Sequence, residues 1–397
     1  MSKLRTDPKR SGAIVPLSAI MLTFFVGMVA FAVDTSWIVM TQSELQNSSD
    51  SAALAGAQQL VKSYPLYALP GQSTSNKISL ADSAAANART VAKTYGSANG
   101  AGGLSTLAYL DADLEVGFTD AKGHFTAYSA GGNYPNTVRA KSRRDSSANN
   151  SLSLFFGSVI GTSKVPLSAP ATATLYTATV NSFTYPSTGN AAILPFTYDV
   201  NHWKTFVDTG NDPDGNTTYG LNKSPQLQVY PSIKNTGNFG QLSLNDGNVG
   251  NSVMKTWLQD GVNSSDIGAL IQHGLLPLSS HNPNAWDWQG STGFQSSLIQ
   301  SANTYVGKTF WLPLFKPVDS NSATYTPGVG KGSNFSYNIV AFVPVQIVQS
   351  QNSNRQVVLQ PADVIDSSAA FDVGSVTPAG TSTTTYFSSV LAPRLSN

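Results

Sequence analysis

The histidines are the first residues in this 397-residue sequence that could support metal or acid–base chemistry. They are His124, His202, His273 and His281, and none forms a zinc-type pair at helical spacing with a carboxylate. His202 stands out because Asp199 precedes it by three residues. We expect a packed or surface histidine there, and the sequence predicts no metal site and no catalytic residue.

A polar stretch at Asp208–Thr218 gathers three aspartates with glycines, as calcium-binding loops do. In an EF-hand register that starts at Asp212, the next two ligand positions hold Asp214 and Asn216, which are suitable ligands. Thr217, however, stands where glycine is obligatory, and Lys223 stands where a bidentate glutamate is needed. A polar turn is the favoured interpretation and a calcium loop is the alternative, so no cofactor is predicted.

Nucleotide and hydrolase motifs are incomplete. The segment Gly328–Ser333 is similar to a phosphate loop, but Tyr325 replaces its first glycine and Gly332 replaces the Ser or Thr after Lys331. No Gly-x-Ser-x-Gly motif occurs, and the absence of cysteine excludes thiolate catalysis. The protein is therefore not predicted to be an enzyme. An exported hydrolase, the alternative, would need converging His, Asp or Ser side chains.

Two tryptophans, Trp286 and Trp288, lie one residue apart in the polar stretch His281–Gly290. Alternate aromatic rings on a loop can stack on a sugar or pack against a partner protein. We name them as candidate partner contacts. The other interpretation is that both rings close the edge of a hydrophobic core.

The overall charge gives no sign of a nucleic-acid partner. Lys and Arg number 23 against 22 Asp and Glu, and only 11% of residues are charged, so no basic face is expected. Glu44 and Glu115 are the only glutamates. Because Asp favours loops and caps over helix interiors, this composition favours a loop-rich, β-rich body.

A long apolar run provides the clearest element of the sequence. Ala13–Val33, with Phe24 and Phe25 at its centre, contains 21 residues without a charge, about 31 Å as a helix, which matches the bilayer core. Four basic residues precede it, which predicts a cytoplasmic N-terminus with the bulk of the chain outside. A signal peptide cleaved after the "AFA" motif at Ala30–Ala32 is the alternative to a retained anchor.

The segment after the span is rich in small residues. Ser43–Ala57 reads "SELQNSSDSAALAGA", and we expect one helix to continue outward from the membrane to about Leu60. Small side chains let another helix or a domain surface approach the backbone closely. The predicted packing residues are Leu45, Ala52, Ala53, Ala55 and Gly56. An exposed alanine-rich helix without a partner is the alternative.

These N-terminal motifs resemble one family. An Arg-x-Gly-Ala entry at Arg10, an Ala-Val-Asp end of the span at Ala32–Asp34 and the Leu45–Ala57 segment together resemble the pilin-like module of TadG-like and TadE-like Flp pilus-assembly proteins. Thr137–Leu175 is more loosely similar to the later strands of that module. The segments beyond it are similar to longer relatives in planctomycete-type bacteria.

The resemblance implies a function in assembly. It implies a single-pass structural component of a Tad or Flp-type pilus or related secretion apparatus, in the bacterial cytoplasmic membrane with its bulk periplasmic. The implied partners are the lipid bilayer, other pilus-assembly or pilin-like membrane proteins, and further copies of the chain. Leu17 stands where pilins of this system carry a glutamate five residues after Gly12, so prepilin-type cleavage is not implied. A surface adhesin that binds carbohydrate or matrix is the alternative.

The predicted fold class is α+β, with four regions in chain order. They are residues 1–60, with a basic tip, the span at 13–33 and the helical extension; 61–180, a pilin-like α+β module; 191–372, a β-rich exported domain with short helices; and 373–397, a Ser/Thr-rich tail. Within the module we expect a loop over 61–78, a helix over Ser79–Tyr95 and a hairpin around Lys122–Gly123.

Overall fold

The computed structural model of the protein describes most of the chain. The described residues are 14–69, 72–185, 189–213, 225–230, 239–247, 250–278, 288–292, 295–321, 324–331, 334–351, 356–362, 364, 366–372, 375–381 and 388–396. The α-helices in these ranges are α1 (Ile14–Ala68), α2 (Thr74–Ser97), α3 (Val200–Thr209), α4 (Asn251–Asp260), α5 (Ser264–Gln272) and α6 (Ser296–Thr304).

The strands follow α2 and alternate with the short helices. In the first half they are β1 (Leu114–Thr119), β2 (Phe125–Ala127), β3 (Thr137–Arg144), β4 (Leu152–Ser153), β5 (Lys164–Val165), β6 (Leu167–Thr174), β7 (Tyr176–Phe183), β8 (Phe196–Asp199) and β9 (Leu227–Tyr230). The others are β10 (Phe239–Leu242), β11 (Trp288–Thr292), β12 (Thr309–Lys316), β13 (Val329–Lys331), β14 (Asn334–Gln351), β15 (Gln356–Pro361), β16 (Ala369–Phe371), β17 (Thr377–Pro378), β18 (Ser388–Val390) and β19 (Arg394–Ser396). The long apolar helix and the β-rich remainder confirm the α+β fold class.

Helix α1 is one continuous helix of 55 residues, which makes it about 80 Å long. The sequence predicted its end near Leu60, but it continues to Ala68. Pro65 lies in the last turn, where few backbone hydrogen bonds remain to be lost. Tyr64 is buried and meets the ring of Tyr134 at a centroid distance of 5.3 Å. Pro65 disfavours a helical last turn, and the contact between Tyr64 and Tyr134 stabilises that turn.

Helix α2 also begins earlier than predicted, at Thr74. Its N-cap is Ser73, whose side chain accepts the N–H three residues later at 3.2 Å. The sequence predicted that this helix begins at Ser79. Asp82 lies inside α2, and its carboxylate accepts a hydrogen bond of 2.7 Å from the hydroxyl of Tyr128. Most of the predicted loop is therefore helical.

The first sheet packs against α1 and α2. Its strand order is β2-β1-β3-β6-β19, and every neighbouring pair is antiparallel. Strands β1 and β2 form the predicted hairpin, which is confirmed. In β3, Val138 and Ala140 are buried while Arg139 and Lys141 are exposed. The buried face of this sheet meets the small residues of both helices.

The second sheet forms the core of the C-terminal half. Its main path is β11-β10-β8-β12-β14-β15-β9, and the 18-residue β14 is its central strand. The strands and the short helices α3 to α6 in this part of the chain agree with the predicted β-rich region with short helices. Helix α6 has Gln295 as its N-cap.

Strand β7 connects the two sheets. It follows β6 after one residue, Leu175, and pairs with β14 through Val180 and Phe342. Strands β16, β17 and β18 pair with β7, and β19 returns to β6 in the first sheet. The sequence predicted residues 373–397 as a Ser/Thr-rich tail, but 377–378, 388–390 and 394–396 form strands that pair with β7 and β6. The division into domains stays a prediction.

We predict that the C-terminal strands contribute to global stability. Leu391 is 8% exposed and its N–H donates to the carbonyl of Tyr176 at 2.9 Å, whereas Leu395 is 41% exposed. Leu391→Ala should lower the free energy of unfolding by about 2–4 kcal/mol, because it leaves a cavity in the core. Leu395→Ala, the matched control, should cost less than about 1 kcal/mol. Urea unfolding followed by tryptophan fluorescence measures both, and equal losses would contradict the prediction.

Candidate interaction surface of the N-terminal helix

Helix α1 consists of two parts with different surroundings. Over its first twenty residues the side chains are exposed, with Phe24 at 62%, Phe25 at 59% and Val33 at 40%. The most apolar 18-residue window has a mean hydropathy of 2.3, and none of it is buried. The helix is therefore long and apolar enough to cross a membrane. The predicted first residue of the span, Ala13, lies outside the described residues.

The second part of α1 is packed into the protein. Leu45, Ala52, Ala53 and Gly56 are buried and Ala55 is half-buried, so four of the five predicted packing residues lie in the core. They meet the buried alanines of α2 and the strands β3 and β6. The exposed-helix alternative does not describe this segment. Whether these residues also contact another protein stays a prediction.

Close backbone approach explains the small side chains. A Cβ atom built on Gly56 would lie 3.1 Å from the carbonyl oxygen of Ala88 and 3.0 Å from Cγ1 of Val138. On the facing helix, a Cβ atom on Gly96 would lie 2.8 Å from the ring of Tyr109 and 2.9 Å from Cβ of Ala52. Larger residues at these positions would separate α1 from α2 and from the sheet.

Buried serines connect α1 to the first sheet. The Ser49 hydroxyl accepts the backbone N–H of Ser142 at 2.9 Å and donates to the carbonyl of Ala169 at 2.6 Å. Ser142 and Ala169 are register partners in β3 and β6, so the Ser49 hydroxyl bonds the backbone of both strands at one position of their pairing. The Ser142 hydroxyl donates in turn to the carbonyl of Leu45 at 2.8 Å. Sequence analysis noted these serines only as small residues.

A second polar contact joins α1, α2 and the loop before β1. Ser48 donates to the carbonyl of Gly96 at 2.9 Å, and its oxygen lies 2.7 Å from the hydroxyl of Tyr109. Burial raises the pKa of Tyr109, and the hydrogen bond to Ser48 lowers it by less. The phenol therefore stays neutral at physiological pH, as its buried position requires.

Asp34, the first residue after the apolar run, has a role that the sequence did not predict. It is 7% exposed, and its carboxylate accepts the backbone N–H of Phe155 at 2.8 Å and that of Phe156 at 3.1 Å. The rings of Trp37 and Phe155 lie 5.7 Å apart between centroids. The end of the apolar part of α1 is thus attached to a loop 120 residues away in sequence.

The other candidate residues occupy structural positions. Trp288 is 1% exposed, and its indole N–H donates to the carbonyl of Leu275 at 3.3 Å. Its ring lies in the hydrophobic core of the second sheet, of which β11 is a strand paired with β10 and β14. Its neighbour Trp286 lies outside the described residues. Asp212 accepts the N–H of Gln228 at 3.1 Å, while 214–218 of the polar stretch Asp208–Thr218 lies outside the described residues.

The histidine singled out in the sequence joins a buried polar cluster. The Asp199 carboxylate lies 3.3 Å from Nδ1 of His202 and accepts the hydroxyl of Tyr325 at 2.5 Å. The same carboxylate caps α3 through the N–H of Asn201 at 2.6 Å. The cluster therefore fixes the start of α3. Within the described part of the chain, no group of three or more His, Asp or Glu side chains is placed to hold a metal ion.

These features define a class: a protein with one exposed apolar helix, long enough to cross a membrane, that continues into a packed α+β body. Residues 12–59 match the Tad family model, described as "Putative Flp pilus-assembly TadE/G-like". The match confirms the resemblance that the N-terminal motifs predicted. Together the match and the helix support a component of pilus assembly. No curated protein and no solved structure matches the chain.

We predict that enlarging a residue of the helix contact destabilises the fold. Ala88 on α2 is fully buried and its carbonyl faces Gly56, whereas Ala86 on the same helix is exposed. Ala88→Leu should lower the free energy of unfolding by about 1–3 kcal/mol through overpacking. Ala86→Leu should change it by less than about 0.5 kcal/mol. Urea unfolding of the full chain in detergent micelles measures both, and a neutral Ala88→Leu would show that α2 is not packed this way.

We also predict that Asp34 holds the Phe155–Phe156 turn. Asp34→Ala leaves two N–H groups without their acceptor, which should destabilise the turn locally by about 1–3 kcal/mol. Hydrogen exchange of a peptide covering 152–160, read by mass spectrometry, should become faster. Thr35→Ala is the matched control, because that hydroxyl bonds only the carbonyl of Phe31 in its own helix, at 2.8 Å. Unchanged exchange in Asp34→Ala would refute the role.

Proposed function

We propose that this protein is a single-pass, membrane-anchored structural component of a Tad/Flp-type pilus or a related secretion apparatus. One observation carries the proposal: α1 is exposed and apolar over 14–33 and then continues without a break into a part that packs into the body. Asp34 is the first buried residue of that part, and regular packing on one helix face begins at Thr41. An apolar helix of about 30 Å that is not covered by its own protein matches the length of a bilayer core. The match over residues 12–59 supplies the pilus context.

The charges favour one orientation. Lys3, Arg5, Lys9 and Arg10 precede the span, and Asp34 follows it. By the positive-inside rule, the N-terminus lies in the cytoplasm and the body lies on the extracytoplasmic side. In a bacterium with two membranes this is the periplasmic face of the inner membrane.

The protein acts, in this proposal, through packing against other proteins and not through catalysis. The small-residue face of α1 is covered by α2, β3 and β6, so it does not offer a free surface. The exposed apolar part at 14–33 is the surface on which pilin-like membrane helices or further copies of this chain would pack. The adhesin alternative relied on Trp286 and Trp288, and the burial of Trp288 gives it no support.

The first test is the mature N-terminus, measured by intact mass in membrane and soluble fractions of a bacterium that expresses the full chain. We expect the span to be retained in the membrane fraction and to resist alkaline extraction. A protein that begins at Val33 in the soluble fraction would mean that a signal peptide was removed, and the anchor would be refuted.

Orientation is tested with single cysteines, because the chain has none of its own. Lys122→Cys lies in an exposed turn and should react with a membrane-impermeant maleimide in spheroplasts. Ser2→Cys, on the other side of the span, should react only after lysis. The reverse pattern would overturn the orientation.

A further inference from the structure

An exposed apolar loop lies between β4 and β5. We call residues Leu154–Ser163 the membrane-edge loop. Its base is closed by the pairing of β4 with β5 and by the Leu154 N–H, which donates to the carbonyl of Ser163 at 3.0 Å. A short 3₁₀ turn at Gly157–Ile160 forms the tip, and Gly161, with φ +83°, reverses the chain after it. The loop is therefore a short hairpin whose tip is the 3₁₀ turn.

The tip presents large apolar side chains to its surroundings. Val159 is 85% exposed and Ile160 is 75% exposed, while Phe155 and Phe156 expose about half of their surface or more. No charged residue occurs from 146 to 163. A contiguous exposed apolar surface of this kind marks a site that contacts a membrane or another protein.

The loop is attached where the apolar part of α1 ends. Asp34 accepts the N–H groups of both phenylalanines, and Phe155 contacts the ring of Trp37. Phe155 also lines a surface groove together with Val29 and Met40, so its ring reaches alongside the last turns of the span. The apolar surface of α1 and that of the loop are therefore continuous.

The side chains at this level are those found at membrane–water interfaces. Trp37 lies one turn beyond the end of the span, in the position of an interfacial aromatic residue. Lys164 is exposed at the base of the loop, where its ammonium group can reach lipid phosphates while its stem covers apolar surface. The region thus combines an apolar tip, an interfacial tryptophan in contact with the loop and a basic residue at the loop base.

We propose that the membrane-edge loop inserts its apolar tip into the interfacial layer of the bilayer that α1 crosses. The inference rests on the membrane anchor of the proposed function, and its occupant is lipid because the loop surface continues that of the span. The protein then contacts the membrane at two points, the helix and the loop tip. Two contacts fix the tilt of the body relative to the membrane, which a single helix leaves free.

The test uses single-cysteine variants of the full chain, labelled with an environment-sensitive fluorophore and placed in lipid nanodiscs. Val159→Cys reports the tip, Ala121→Cys reports an exposed turn of the β1–β2 hairpin, and Phe24→Cys reports the span. We expect the label at 159 to shift its emission to the blue, to be quenched by nitroxide-bearing lipids and to lose quenching by iodide. The label at 121 should show the opposite behaviour.

The three labels separate the failure of this inference from that of the anchor. If the label at 24 is quenched by lipid and the label at 159 behaves like that at 121, the anchor holds and the loop insertion is refuted. If the label at 24 is not quenched by lipid, the anchor itself fails. Protection at 159 that appears only as protein concentration rises, at fixed lipid, would assign the tip to a second copy and also overturn the proposal.

Discussion

The structure depends on the single helix α1, whose first part is exposed and apolar and whose second part is packed into the protein, with one continuous helical backbone through both. Helix α1 satisfies its own backbone hydrogen bonds along its length, so it can pass from an apolar solvent into a protein core with no adjustment other than side-chain type. Its apolar part has large side chains, and its packed part has alanine, serine and glycine on the face toward α2 and the sheet. Every other contact of the N-terminal half is arranged around this change.

Asp34 is the first buried residue of α1 and marks where the change of surroundings begins. A carboxylate that is 7% exposed is costly unless it is hydrogen-bonded. The backbone N–H groups of Phe155 and Phe156 provide the bonds, and in return the carboxylate fixes a loop whose side chains are apolar. The residue that ends the apolar run thereby brings a second apolar element to the same level of the molecule.

Local patterns predicted the elements that local physics controls. The apolar run, the small-residue segment and the hairpin around Lys122–Gly123 were visible, because each depends on a pattern within a short stretch of chain. The extension of α1 past Pro65 was missed, since the burial of Tyr64 decides it. The partners of Ser49 and Asp34 were missed for a related reason. They lie more than 90 residues away, and no spacing rule connects them.

The junction of the two sheets connects the packed part of α1 to the C-terminal half through buried hydrogen bonds. Leu175, the residue between β6 and β7, is fully buried, and its N–H donates to the carbonyl of Asn136 at 2.7 Å. The Asn136 side chain donates to the carbonyl of Ala379 at 2.8 Å, and the Ala379 N–H donates back to Leu175 at 2.9 Å. Three distant segments are closed in a ring of buried hydrogen bonds, where a flexible linker would show exposed polar residues. The contacts of α1 with β6, the direct continuation of β6 into β7 and the pairing of β7 with β14 form one path from the N-terminal helix to the second sheet, with only the buried Leu175 between β6 and β7.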